Sequence, residues 1–250
     1  MSKRFFILVP PSESKASGGW SMSRAGDFDD ALRAQRDEVL TALCDVVRSS
    51  SRSEVERVLG ARGVLLNRTI DAMTLLCEGR APLLPSWRRY TGVVWSHLDP
   101  GSLTSAQRRR LLIPSGLYGL TGAEDPVGEY RLKMNVSVAS LGNVSAFWRP
   151  VITSLVATRV RSSTVVNLLP KEHAAAIDFE SLQRVSSVVH VEFVGADGSR
   201  AVGHGGKSVK GMVARALLEG DVEVLYSFRW KGWSAHQVEG LVRIVAPPVG

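Results

Sequence analysis

Residues 115–134, SGLYGLTGAEDPVGEYRLKM, constrain this chain more than any other segment. Four glycines, an Asp-Pro turn signal and a Tyr-Arg pair fall within it, with little hydrophobic periodicity, so it suits neither an amphipathic helix nor an alternating strand. The apolar run just before it, residues 111–114, reads as a buried strand. A strand that opens into such a segment shapes a site rather than filling a core.

The rest of the chain mixes both kinds of element. Residues 4–9 predict a buried first strand, ended by Pro10 and Pro11, neither of which can donate a ladder hydrogen bond. A Ser- and Gly-rich loop, 12–26, follows. Leu32, Val39, Leu40, Leu43 and Val47 then recur at helical spacing and predict a helix over 28–47 with Asp27 as its cap. Two more helical stretches, 53–59 and 64–76, are joined by Gly60, Ala61, Arg62 and Gly63. In the second half, 163–168, 187–194, 222–228 and 241–245 predict strands, while 144–158 and 171–179 predict helices. Ala196 to Ser199 (ADGS) predicts a hairpin turn leading from 188–194 to a return strand near 200–203. No internal repeat or low-complexity linker is visible. The expectation is an α+β fold: a single domain over 1–250 around a mixed β-sheet, with a helical hairpin at about 53–76.

With 44% hydrophobic residues in 250, the chain can bury a sizeable core. An excess of 31 Lys and Arg over 24 Asp and Glu, net +7, favours a polyanionic partner such as nucleic acid or a phosphorylated substrate. The two cysteines, Cys44 and Cys77, each lie inside a helical stretch, which excludes a disulfide scaffold and predicts core thiols in a reduced compartment. FFILVP is too short for a secretory apolar region, and no run of 18 apolar residues occurs, so a cytoplasmic protein without a membrane partner is expected. His97, His173, His190, His204 and His236 show no H-x-x-x-H or H-E-x-x-H spacing and no C-x-x-C occurs, so neither a metal site nor a cofactor is implied. Trp230 and Trp233 around Lys231 have the spacing of packing residues more than of base-stacking ones.

SGLYG followed at Tyr130 by YRLKM resembles the hallmark of the peroxide-stress protein YaaA family. Five further segments fit the same pattern in the same order: ILVPPSESK at 7–15, YTG at 90–92, FWRP at 147–150, VNLLPKEH at 166–173 and HGGKSVKGMVARALL at 204–218. The resemblance implies an unusual single-domain fold and an association with resistance to hydrogen peroxide, with limiting free iron and with DNA binding. The iron association does not require an iron site. It also implies that the 53–76 hairpin resembles a helix-hairpin-helix, whose Gly-lined turn lets backbone N–H groups approach phosphates while Arg62 and Arg68 supply charge. Arg215, on the last basic segment, is a third candidate DNA contact.

From the same segments, Ser12, Lys15, Ser115, Tyr130, Arg131, Lys207 and Lys210 are expected to bind a ligand or phosphate. Glu13, Glu172, His173 and His204 are the candidate acid/base groups. The chain departs from the family pattern where Pro170 stands for a usual Ser and His173 for a usual Tyr. Gly206, Lys207 and Ser208 match the end of a Walker A motif, but Ala201 occupies its first glycine, which argues against a nucleotide triphosphatase. Glycines leading into a helix N-terminus still suit an anion. Two functions remain open: a stress protein binding DNA without sequence selectivity, or an enzyme acting on a nucleotide, nucleobase or other anionic small molecule.

Overall fold

The computed structural model describes residues 4–21, 25–199, 203–238 and 240–248. The chain opens with β1 (Phe5–Leu8), followed by α1 (Asp29–Ser49), α2 (Arg52–Leu59), α3 (Gly63–Cys77), β2 (Leu84–Pro85), α4 (Ser86–Arg89), α5 (Val93–Leu98) and α6 (Ser105–Arg108). Next come β3 (Leu111–Ser115), β4 (Gly119–Gly122), β5 (Pro126–Val127), β6 (Ser137–Val138), β7 (Gly142–Asn143), α7 (Val144–Val160) and β8 (Thr164–Asn167). The last part holds α8 (Lys171–Ala174), α9 (Phe179–Gln183), β9 (Ser187–Val194), α10 (Gly203–Glu219), β10 (Arg229–Trp230), β11 (Trp233–Val238) and β12 (Leu241–Val245).

Eight strands form one sheet in the order β10-β11-β12-β9-β8-β1-β3-β4. Strands β1, β3, β8, β9 and β12 run parallel, while β4, β11 and β10 pair antiparallel with their neighbours, so the sheet is mixed and the fold α+β. Every residue of β1, β3 and β8 is buried, as continuous apolar strands require when both faces of a parallel sheet are covered. Ile7 of β1 stands opposite Leu111 on one side and Val166 on the other. From β1 the chain builds outward to β3 and β4, then returns to add β8, β9 and β12 on the opposite flank. The carboxyl ends of β1 and β8 therefore sit where the strand order reverses, the place where open sheets form ligand crevices.

Helix α10 approaches α5 closely, which only glycine permits: a Cβ at Gly211 would lie 2.3 Å from the Val94 carbonyl oxygen. Val209, Val213 and Leu217 form its buried face, flanked by half-buried Met212 and Ala216. The indole of Trp148 in α7 donates to the Gly116 carbonyl at 2.7 Å, tying the FWRP segment to the SGLYG turn.

Several expectations are corrected. Cys44 and Cys77 are not thiols: they form a disulfide across α1 and α3, with Cα atoms 5.8 Å apart. The two helices pack together, and Cys77, as the last residue of α3, meets Cys44 on the facing side of α1. Residues 222–227 form a 3₁₀ helix rather than a strand, because the Asp221 carboxylate caps it by accepting from the Glu223 N–H at 3.0 Å. The helix expected over 171–179 is split into α8 and α9, the second started by Asp178, which accepts from the Ser181 N–H. Asp27 does not cap α1; its carboxylate pairs with Arg159 at 3.1 Å, while Asp29 accepts from the Gly26 N–H. The turn after β9 closes with Gly195 N–H on the Ser199 carbonyl at 2.7 Å, yet both described neighbours of β9 in the sheet are parallel strands. Of the expected return strand, 200–202 lie outside the described residues, and Gly203 opens α10.

The cystine closes a loop whose ends are 33 residues apart. Its reduction, or the paired change Cys44→Ser with Cys77→Ser, is expected to cost about 3–4 kcal/mol by loop-closure entropy. Urea unfolding with and without reductant checks this, and coincident curves would refute it.

Candidate functional site

The site is built around a buried arginine. Arg89, the last residue of α4, is fully buried and donates to the backbone carbonyls of Ala16, Gly18, Pro82 and Val127. These contacts clasp the loop after β1. Next to them, Lys15 forms an antiparallel bridge with Tyr90, and the Thr91 N–H donates to the Ser14 carbonyl at 3.1 Å. At Gly92 a Cβ would lie 2.2 Å from Ser12 Oγ, so the loop seats closely against the YTG segment.

Behind the loop runs a chain of hydroxyls. The Tyr130 hydroxyl lies 2.7 Å from Ser115 Oγ and 3.1 Å from the Tyr90 hydroxyl. Ser115 Oγ accepts from the Tyr118 N–H, and the Tyr118 hydroxyl accepts from the Gly128 N–H at 2.8 Å. Burial pushes the Tyr130 hydroxyl up to about 12 and Tyr90 well above its usual range, so both stay protonated at neutral pH. Their rings support the amine of Lys15, which lies 4.1 Å from the Tyr130 ring centre and 5.6 Å from that of Tyr90. That amine also donates to the Ser12 carbonyl at 2.7 Å.

These groups border a cleft of about 160 Å³ at the carboxyl ends of β1 and β8, which brings together Ser12, Glu13, Lys15, Tyr130, Arg131, Glu172 and His173. Ser115 is fully buried behind Tyr130. Burial, reinforced by the positive charge of Arg131, brings Lys15 down to about 7 against the weaker opposing pull of Glu13 and Glu129. Burial alone would raise the Glu13 carboxyl, but Lys133 and Arg131 outweigh it and hold Glu13 below its usual range. Glu13 stands between these two cations, 3.2 Å from Arg131 and 3.6 Å from Lys133. Arg131 also donates to the carbonyls of Leu59 and Gly60, anchoring the end of α2 to the cleft. Burial depresses His173 to about 4, so its ring is neutral. His173 Nδ1 is buried with no hydrogen-bond partner among the described residues, and Glu172 Oε1 lies 4.0 Å from it.

Lys207 and Lys210 line a second cleft of about 690 Å³, bordered also by Glu192, Phe193 and Glu172, the last of which lines both clefts. The Lys210 amine lies 5.0 Å from the Phe193 ring centre. Gly205 and Gly206 sit inside α10, not in a loop before it, so the Walker-like ending is helix interior and Lys207 lies a turn beyond the helix start; Ala201 falls outside the described residues. His204 is exposed in the first turn of α10 and borders neither cleft.

The three arginines expected at DNA are spread apart. Arg68 pairs with Glu129 at 2.8 Å and borders a third cleft, of about 230 Å³, that shares Lys15 and Arg131 with the first. Arg62, at the α2–α3 turn, is 88% exposed and 3.7 Å from Glu56. Arg215 is held on α10 by Asp99 at 3.3 Å and Glu219 at 2.7 Å. Lys133 and Arg89 were not expected at the site. Lys133 carried a signal, two residues after Arg131 in the YRLKM segment; Arg89, next to YTG, carried none. Among the described residues, no group of three or more His, Cys, Asp or Glu side chains is placed to hold a metal ion, and no helix is long and apolar enough to cross a membrane.

Comparison with known proteins gives one family. The family model described as peroxide stress protein YaaA matches residues 5–238. A UPF0246 protein of Streptomyces coelicolor is 30% identical over 239 residues, covering 91% of this chain and 90% of its own. A UPF0246 protein of Corynebacterium glutamicum is 29% identical over 224 residues, covering 87% and 86%, and one of Phocaeicola vulgatus is 25% identical over 197 residues, covering 74% and 77%.

Two measurements check this architecture. Arg89→Met removes the donors that tie these four carbonyls together and is expected to cost about 3–5 kcal/mol in denaturant unfolding; a loss below about 1 kcal/mol would show that the clasp is dispensable. As pH falls through 6.5, the unfolded chain protonates His173 while the folded chain resists until about 4. Stability is therefore lost across that window, by at most about 3 kcal/mol from this residue. His173→Gln should flatten the profile between those limits, and an unchanged slope would refute the assignment.

Proposed function

Because the chain belongs to the peroxide stress protein YaaA family, we propose that it serves the peroxide response in the cytoplasm by binding a small phosphate-bearing ligand in the cleft at the ends of β1 and β8. The observation that carries this reading is the gathering of Lys15, Arg131 and Lys133 in one cleft, with the Glu13 carboxylate between Arg131 and Lys133. Glu13 is 67% exposed and free to swing into water, and a phosphate taking its place meets the same cations. Lys207 and Lys210 extend the positive field into the adjoining cleft.

A second reading, non-selective binding of duplex DNA, is favoured by the exposed Arg62 at the helical hairpin turn. It competes with the first because Arg68 and Arg215 are engaged by carboxylates.

Calorimetry with inorganic phosphate, ribose 5-phosphate, ribose and a short DNA duplex separates the two. Under the first reading, phosphate and ribose 5-phosphate bind and ribose does not. Lys133→Ala then weakens binding about tenfold, the loss of one charge-assisted contact, and Glu13→Gln tightens it by removing the competing carboxylate. Unchanged affinity in both variants would overturn this reading. Duplex binding that falls steeply with salt and is lost in Arg62→Glu would establish the second.

A further inference from the structure

We propose that Lys15 is a catalytic amine that forms an imine with a carbonyl group of the bound ligand, making the substrates of this cleft small phosphate-bearing aldehydes or ketones. This rests on the anion-binding reading and adds chemistry to it.

Lys15 follows β1 at the reversal point of the sheet and is held from three sides. The Ser12 carbonyl takes one N–H at 2.7 Å, the Tyr130 ring lies 4.1 Å below, and the backbone is bridged to Tyr90. Carboxylates that ordinarily neutralise a lysine are turned elsewhere: Glu13 to Arg131 and Lys133, Glu129 to Arg68. The groups facing the amine are therefore Arg131 and Arg89, which repel its proton, and Glu13 and Glu129, which attract it from a distance. Glu172 and His173 line the same cleft from α8. Tyr130 and Tyr90 present π faces that favour the cation, but burial outweighs them, leaving the amine near 7. About half of it is then free base at neutral pH, against roughly one part in two thousand for an ordinary exposed lysine. A desolvated lysine beside a second cation is a recurrent way of making a nucleophile.

The step is balanced within the site. The amine lone pair adds to the carbonyl carbon, and the carbonyl π electrons move to oxygen, which takes up a proton. Both N–H protons of the amine finally leave with that oxygen as water, so that a C=N bond replaces the C=O bond with no change in oxidation state. Neutral His173, with Nδ1 unpartnered, is the group in the cleft suited to carrying a proton from nitrogen to oxygen. The cations Arg131 and Lys133 hold the phosphate.

The test is borohydride trapping on the intact protein. Glyceraldehyde 3-phosphate is added at pH 7, sodium borohydride reduces any imine, and the adduct is mapped by peptide mass spectrometry. The expected result is a single adduct at Lys15, at least tenfold more abundant than with glyceraldehyde, rising with pH about a midpoint near 7. Lys15→Arg, which replaces the amine with a cation that cannot form an imine, should abolish it while circular dichroism stays unchanged. Adduct spread over exposed lysines, or a Lys15 midpoint near that of a free lysine, would overturn the proposal. If inorganic phosphate binds by calorimetry and no Lys15 adduct forms, the imine chemistry fails and the anion site stands. If Lys15 is labelled equally by glyceraldehyde and is not protected by inorganic phosphate, the imine chemistry stands and the anion site fails.

Discussion

One buried guanidinium holds the loops from which the cleft is made. Arg89 has no exposed surface, and its hydrogen bonds run to main-chain carbonyls on three separate stretches: after β1, before β2 and at β5. A buried cation is costly unless its donors are satisfied. Here four carbonyls accept from the one guanidinium, so cation and loops stabilise one another. Lysine is no substitute, because its three donors radiate from one point whereas arginine presents five in a planar fork. Tyr90, Thr91 and Gly92 follow directly in sequence, which carries the placement of Arg89 on to the Lys15 bridge and the Ser12 contact.

On that frame, burial sorts the charges. Lys15, Arg131 and Lys133 border a common cleft, and the most enclosed amine is the one that yields its proton. Glu13, on the open side, stays ionised because two cations flank it. His173 is neutral for the same reason that Lys15 is easily deprotonated, since water is removed from around both. The cleft therefore combines the positive charge of Arg131 and Lys133 with a neutral His173 and an easily deprotonated Lys15. The hydroxyl chain behind it, from Tyr90 through Tyr130 to Ser115, remains protonated and links three segments of the chain.

Much of this was legible from residues alone, and the exceptions share a cause. Strands β1, β3, β8 and β9 were marked by apolar runs and turn residues, and β9 was read to its ends. The family segments were visible as motifs, and Ser12, Glu13, Lys15, Tyr130, Arg131, Glu172 and His173, which meet in the cleft, were among the residues named. Residues 222–227 misled because their apolar spacing suits a strand as well as a 3₁₀ turn, and Asp221 decides between them only through its cap. The cystine was missed because sequence shows that each cysteine is helical but not toward which neighbour it is turned. Lys133 was overlooked beside Arg131, although alternate residues of an extended segment face the same way.

Sequence by itself determined the family, the α+β class, the buried parallel strands and the identity of the basic and acidic residues available for function, because these depend on local pattern and composition. Tertiary structure alone decided that the loop after β1 and the segment after β8 share one cleft, since that follows from β1 and β8 pairing as neighbours across a long chain separation. It alone placed Lys207 and Lys210 in the adjoining cleft and left His204 outside both. It also decided the protonation of Lys15 and His173, because a side chain's affinity for a proton depends on the water and charge around it, and these are set only when distant segments pack together.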